Sequence, residues 1–176
     1  ARIASVHLVA RLRVCIARVK SNRSFACGLY VVTGGLGGLG LRAASLIVES
    51  GASRVLLSSR RGRVVRDGQG LDAQLRSISA FAVVLECDSS SNYDNITLLF
   101  HGSLTGVVYA SGAFDKGLLI ELAMQRRLLM YASKAMGALY LQCAGQTAPL
   151  GTQVFLSSVG SGIGNVGQAN YAAGNA

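Results

Sequence analysis

The sequence is short of histidine, of paired cysteines and of charge, and each shortage closes off a class of function. Two histidines and four cysteines, at 15, 27, 87 and 143 with no C-x-x-C pair, give neither the ligand spacing of a zinc site nor a redox motif, so no metal is expected. Reduced thiols in an intracellular protein are then the default. Charged residues make up 14% of the chain against 51% hydrophobic ones, which excludes disorder as the main state. The 176 residues suffice for one domain with a sizeable core. Two stretches, 24–41 and 135–176, lack charge altogether, yet the first holds six glycines and the second is threaded with Ser, Gln, Asn and Gly. Neither reads as a membrane span.

Acidic residues are missing from the first 24 positions, where Arg2, Arg11, Arg13, Arg18, Lys20 and Arg23 stand. The overall charge of +9 therefore leaves only 11 basic against 8 acidic residues, or +3, for the rest. One short basic run without an aromatic platform or a recognition motif does not make a nucleic-acid binder. Segment 1–27 reads as a basic linker or edge element, with an amphipathic surface helix or an Arg-rich transit peptide as the alternatives. The protein is expected in the cytoplasm, or in an organelle if the transit reading holds.

From residue 28 onward β-branched runs alternate with helical stretches, the pattern of repeated βαβ units. Strands are predicted at Gly28–Thr33, Arg54–Ser59, Phe81–Glu86, Thr105–Ala110 and Thr152–Ser157, each nearly continuous in apolar residues as strands buried on both faces should be. Helices are predicted at 39–50, 70–79, 92–100 and 126–144. Leu39, Ala43, Leu46 and Ile47 are spaced for the buried face of the first, and Leu128, Leu129, Ala132, Met136 and Leu139 for that of the last. Residues 60–69 form a polar loop. The fold class is α/β, a Rossmann-like doubly wound parallel sheet.

The first strand runs into Thr33-Gly34-Gly35-Leu36-Gly37-Gly38-Leu39-Gly40 and then into a helix, the context that makes a glycine pattern a dinucleotide site. Glycines let the backbone approach a pyrophosphate, whose charge the helix start then holds. A glycine-rich turn without a ligand is the plain alternative. No Lys-Ser or Lys-Thr closes the motif, which excludes a P-loop. After the second strand, where an NAD site places an acid, stand Ser59, Arg60 and Arg61, which favours NADPH because a guanidinium pairs with the 2′-phosphate. Solvated loop arginines compete with that reading, more for Arg61 than for Arg60. Asp88 is placed to reach the adenine edge, although a turn-forming aspartate would look the same.

Ser158 leaves the end of the fifth strand, and Tyr171 and Asn175, four apart, share one face of a starting helix. A serine that orients a carbonyl and a phenol that gives a proton would suit carbonyl reduction beside a nicotinamide. A phenol needs a nearby cation to act at neutral pH, and Lys134, the last charged residue of the chain, is the candidate.

Taken in order and spacing, TGGLGGLG, LLSSRRG, CDSS, GVVYASGAFDKG, SKAMGALYL and SSVGSGIGNVGQANYAAGNA resemble the ketoreductase domain of type I polyketide synthases, within the short-chain dehydrogenase/reductases. The resemblance covers about residues 28–176 and implies Tyr171 as proton donor, Ser158 as carbonyl-binding hydroxyl, and Lys134 with Asn175 completing a tetrad. In free-standing relatives a lysine stands four after the tyrosine. Here that residue is Asn175 and the lysine lies at Lys134, the arrangement of synthase-embedded ketoreductases. Thr33 to Gly40, Ser59, Arg60, Asp88, Ala110, Ser111, Lys134 and Tyr171 are the implied contacts of NADPH. The implied reaction is reduction of a β-ketoacyl thioester on a phosphopantetheinylated acyl carrier protein, in company with other synthase domains.

The departures from the family pattern are specific. Its H-A-A-G reads Tyr109-Ala110-Ser111-Gly112, its Leu-Asp-Asp element reads Phe114-Asp115-Lys116, and the tryptophan of the other stereochemical class falls at Ile163. The resemblance further implies later strands and a substrate lid past Ala176, so the domain is expected to be incomplete and its sheet to end on an uncovered fifth strand. A non-catalytic, nucleotide-binding or scaffolding role is the alternative that this incompleteness raises.

Overall fold

The computed structural model describes residues 27–66, 68–100, 102–113 and 115–176. Segment 1–26 of the predicted basic linker and Phe114 lie outside the described residues. Five parallel strands, β1 (Leu29–Thr33), β2 (Arg54–Ser59), β3 (Ala82–Glu86), β4 (Leu104–Tyr109) and β5 (Thr152–Phe155), form one sheet in the order β3-β2-β1-β4-β5. The order runs outward in both directions from β1, so the topological switch point lies between β1 and β4. Ligands of open α/β sheets bind there, outside the carboxyl ends of the strands.

The helices are α1 (Gly38–Glu49), α2 (Leu71–Ser77), α3 (Tyr93–Thr97), α4 (Met124–Tyr131), α5 (Gly137–Gly145), α6 (Gly160–Ile163) and α7 (Ala169–Asn175). Asn92 starts α3 by accepting the Asn95 N–H at 2.9 Å, a side-chain cap. Where one helix over 126–144 is predicted, α4 and α5 are joined by a π turn, Ala132–Met136. Period-two alternation along β1 splits the core between two layers. Tyr30 and Val32 face Leu41, Ala44 and Ile47 of α1, whereas Val31 faces Ile96, Leu99 and Leu141 on the other side.

Two expectations are corrected. The outer strands are not buried on both faces: Val83 of β3 is 47% exposed and Phe155 of β5 is 40% exposed, because both strands lie at the edges of the sheet, beyond the helices that cover its centre. The helix faces also differ. On α1 the buried residues are Leu41, Ala44, Ser45 and Ile47, while Leu39 and Leu46 are 72% and 45% exposed. Leu39 and Leu46 fall in one i, i+3, i+7 row with Arg42 and then Glu49, whose charges fix that row in solvent. On the long helix the buried row is Met130, Ser133, Gly137, Leu141 and Ala144, and Leu128, Leu129 and Leu139 are exposed. The row contains small residues because another element presses on it.

Candidate functional site

The turn from β1 into α1 is held by its glycines. A Cβ at Gly34 would meet the Ala110 carbonyl oxygen at 2.7 Å, and one at Gly35 the Val32 carbonyl oxygen at 2.7 Å and the Leu57 Cα at 2.9 Å. A Cβ at Gly40 would overlap the Gly34 carbonyl. Gly34 and Gly35 let the turn pack against β4 and β2, and Gly40 lets the start of α1 close on the turn itself. Gly37 and Gly38 differ: around them a Cβ meets little but the Gly34 oxygen at 3.3 Å and Leu71 at 4.0 Å, and both line an open cleft. Gly37 caps α1 without a side-chain hydrogen bond, so the first-turn N–H groups face that cleft as free donors.

The cleft, about 800 Å³, is lined by Gly34, Leu36, Gly37, Gly38, Leu39 and Gly40, by Ser59 and Arg60, by Asp88, by Ala110 and Ser111, and by Lys134 and Tyr171. Among the predicted contacts Thr33 and Gly35 are not in its wall. Thr33 is fully buried beneath it, its Oγ1 without a hydrogen-bond partner. Ser59 Oγ is also buried and unpartnered, at the cleft wall itself, where a polar ligand group would satisfy it. Arg61, Arg63 and Arg66 join Arg60 in the lining, so with Lys134 five cations face one carboxylate, Asp88. An anionic ligand fits that balance. Arg63 and Arg66 went unassigned in the sequence; their recurrence beside Arg60 and Arg61 was the available signal. Asp88 also turns the chain: its Oδ1 accepts the Ser90 N–H at 3.0 Å and the Ser90 hydroxyl at 2.6 Å. The turn-forming reading of that residue is the one observed, and the residue also lines the cleft.

Tyr171 and Lys134 reach the same cleft from α7 and the π turn. A Cβ added at Gly174 would be 3.5 Å from both Lys134 Cβ and the Met130 carbonyl, so the two helices pack closely. Lys134 Nζ donates to the Leu156 carbonyl at 3.2 Å, and burial pushes its amine below the usual lysine range. Asn175 is brought next to Tyr171 by its Nδ2, which donates to the Tyr171 carbonyl at 2.8 Å, while its Oδ1 is buried without a partner. Ser158 does not line the cleft; its Oγ accepts the Gly160 N–H at 3.1 Å at the start of α6.

The start of α7 is anchored by a charged network. Asp115 accepts from Arg126 Nε at 3.0 Å and from Asn170 Nδ2 at 3.1 Å, and Asn170 Oδ1 in turn accepts the Tyr171 N–H at 2.8 Å. The hydrogen bonds from Arg126 hold the Asp115 carboxyl below the usual carboxylate range. Tyr109, standing where the family pattern has histidine, is buried at the end of β4, and its hydroxyl donates to the Ser133 carbonyl at 2.7 Å. Burial pushes that phenol up to about 12, so it stays a neutral donor near neutral pH. Among the described residues no cluster of His, Cys, Asp and Glu could hold a metal, and no helix is long and apolar enough to cross a membrane.

The strand order and the glycine turn at its switch point define a Rossmann-like α/β domain. The KR domain family model matches residues 28–176, and the chain belongs to that family of ketoreductase domains. It is 36% identical over 154 residues to polyketide synthase GfsA of Streptomyces halstedii, covering 85% of this chain and 2% of that protein. It is 33% identical over 193 residues to a 6-methylsalicylic acid synthase of Arthrobotrys oligospora, covering 100% of this chain and 11% of that protein. The chain thus spans a small fraction of the curated relatives it matches. Among solved structures it resembles A-type ketoreductases from a modular polyketide synthase, with TM-score 0.75, 28% identity, and coverage of 88% of this chain and 34% of that one. It likewise resembles a ketoreductase from the first module of phoslactomycin biosynthesis in a Streptomyces species, with TM-score 0.71, 31% identity, and coverage of 84% and 36%. Domains of this family are oxidoreductases that bind a nicotinamide cofactor.

Proposed function

We propose that this domain reduces a β-ketoacyl thioester, carried by an acyl carrier protein, to the β-hydroxyacyl thioester with NADPH. The observation that carries this reading is the convergence of Tyr171, Lys134, the glycine turn and four arginines on one cleft. The first-turn N–H groups of α1 and the open faces of Gly37 and Gly38 would hold a pyrophosphate, Arg60 and Arg61 the 2′-phosphate, and Ser59 Oγ a ribose or phosphate oxygen. When bound, NADPH supplies the hydride that the ketone carbon accepts. Tyr171 gives its phenolic proton to the ketone oxygen, so charge does not accumulate there. The Lys134 ammonium favours the phenolate left behind and lowers the barrier to that transfer. Asn175 Oδ1, buried and unpartnered, is free to accept a hydrogen bond from the lysine side of this relay. Ser158 keeps a hydroxyl proton to donate to the carbonyl, since its Oγ acts as acceptor toward Gly160.

The implied partners are the phosphopantetheinylated carrier domain and the other domains of the same assembly. A non-catalytic, nucleotide-binding role is the second reading, favoured by the position of Ser158 outside the cleft wall. The test is NADPH and NADH binding by fluorescence, followed by NADPH oxidation with a β-ketoacyl thioester mimic. Tyr171→Phe should lower turnover by roughly 100-fold or more, the range of general acid catalysis, and leave NADPH affinity unchanged. Retained turnover removes Tyr171 from its role. NADPH binding by the parent without any turnover moves the nucleotide-binding reading ahead.

A further inference from the structure

In an α-helix the Ser133 carbonyl would accept the N–H of residue 137. Here the Gly137 N–H bonds instead to Ala132, five residues back, so Ser133 loses its usual donor. The Tyr109 hydroxyl supplies the replacement, at 2.7 Å, from the end of β4. Glycine at 137 makes the space, for a Cβ there would overlap the Tyr109 oxygen. Ser133 is held at its side chain as well: its Oγ donates to the Met130 carbonyl at 3.1 Å and accepts the Ala113 N–H at 3.2 Å. Lys134 is the next residue. Its side chain runs along the chain at Gly112, where a Cβ would come within 2.5 Å of Lys134 Cε, and ends on the Leu156 carbonyl.

We propose that Tyr109 is a positioning residue for Lys134: its phenol fills the gap opened by the π turn and so fixes where the lysine amine meets Tyr171. The inference rests on reading Lys134 as the cation of Tyr171. It assigns a role to the residue at which this chain departs from the H-A-A-G pattern. A wedge between β4 and the helix sets the helical register one residue longer than an α-helix would, and Lys134 emerges into the cleft instead of onto the neighbouring face. The titratable groups that line the cleft with Lys134 are Tyr171 on α7, Cys87 and Asp88 after β3, and the four arginines after β2.

The chain has three lysines, Lys20, Lys116 and Lys134, so the Lys134 amine can be followed by NMR of ζ-15N-lysine protein, assigned with Lys134→Arg. In Tyr109→Phe, which keeps the ring and deletes the donor, the Lys134 titration should move toward that of an ordinary lysine. The maximal rate of ketone reduction should fall roughly tenfold with KM for the thioester mimic unchanged, as expected for a misplaced catalytic group. The alkaline limb of its pH profile should move upward, since a more distant cation favours the Tyr171 phenolate less. A folded Tyr109→Phe whose Lys134 titration and alkaline limb stay where they were overturns the proposal. Gly137→Ala tests it with Tyr109 present: the added methyl displaces the phenol and should shift Lys134 in the same direction. Lys134 unmoved in a folded Gly137→Ala overturns the proposal equally. Failure of the reductase reading is distinguishable, because the parent would then oxidise no NADPH while the lysine titration still decides the role of Tyr109.

Discussion

The chain has two glycine-rich stretches, 34–40 and 160–167, which look alike in sequence and differ in what surrounds them. In the first, Gly34, Gly35 and Gly40 each exclude a Cβ by backbone contact, with oxygens and Cα atoms at 2.7–2.9 Å around the first two. In the second, a Cβ at Gly162 or Gly164 meets nothing within 4 Å, and one at Gly167 meets only ordinary contacts at 3.7 Å with Gly117. Glycine is thus demanded in the first stretch by close approach, and at Gly164 and Gly167 only by left-handed backbone, φ +72° and +70°. A cradle built on packed backbone is rigid before any ligand arrives. A loop whose glycines touch little has few contacts to resist rearrangement.

The strongest way to break this contrast is Gly40→Ala. Its methyl would be driven into the Gly34 carbonyl, and neither backbone can give without opening the turn. Overpacking of this kind costs about 1–3 kcal/mol. Thermal unfolding should report that loss together with weakened NADPH binding. A variant as stable as the parent would mean that the turn yields and is not the rigid half of the comparison.

A second experiment asks whether the rigid half is built for an anion. Arg60→Ala with Arg61→Ala should raise the Kd for NADPH about tenfold, about 1.4 kcal/mol, and change that for NADH much less. The NADPH effect should shrink at high salt. Equal weakening of both cofactors would assign the arginines to the shared pyrophosphate or to the fold, and the case for the 2′-phosphate would fail.

How these two stretches read in the sequence explains what was legible. The strands are legible to within two residues, β2 with the bounds observed, because each is a short, continuous apolar and largely β-branched run, at the edges of the sheet as in its buried centre. The glycine turn was legible because strand, glycines and helix follow without a gap. The helix faces were not: Leu39 and Leu46 are as apolar as Leu41, and only the charges at Arg42 and Glu49 mark the outer row. The π turn was invisible because nothing within the helix sequence demands it; its donor, Tyr109, and its space, Gly137, lie 28 positions apart and meet only in the fold. Ser158, Tyr171 and Lys134 stand out in the sequence as candidates, but their relative placement depends on three separate elements.

The second stretch has its own anchor, which separates it from the cradle. Gly117 N–H donates to the Gly167 carbonyl at 2.9 Å, and Asp115 ties Asn170 and Arg126 beside it. Since the folded Asp115 carboxyl is held below its ordinary range, its contribution is present above that range and is lost as pH falls through it. Both partners are partly exposed, so the effect is small and screened by salt. Asp115→Asn should therefore flatten the acid side of the thermal-stability profile slightly and leave NADPH binding by the first stretch unchanged. An unaltered acid limb would show that the network does not hold α7.

The smallest effect has the opposite sign from the largest. Gly162 lies in the short helix α6 with open space where a Cβ would stand, and its φ is not left-handed. Alanine at such a position loses less conformational entropy on folding, which stabilises by about 0.5 kcal/mol. Gly162→Ala should raise the melting temperature slightly, where Gly40→Ala lowers it. A fall instead would mean that the second stretch also packs against something, in the parent protein or a partner, and the contrast between the two glycine-rich stretches would then lie in what covers them and not in how they fold.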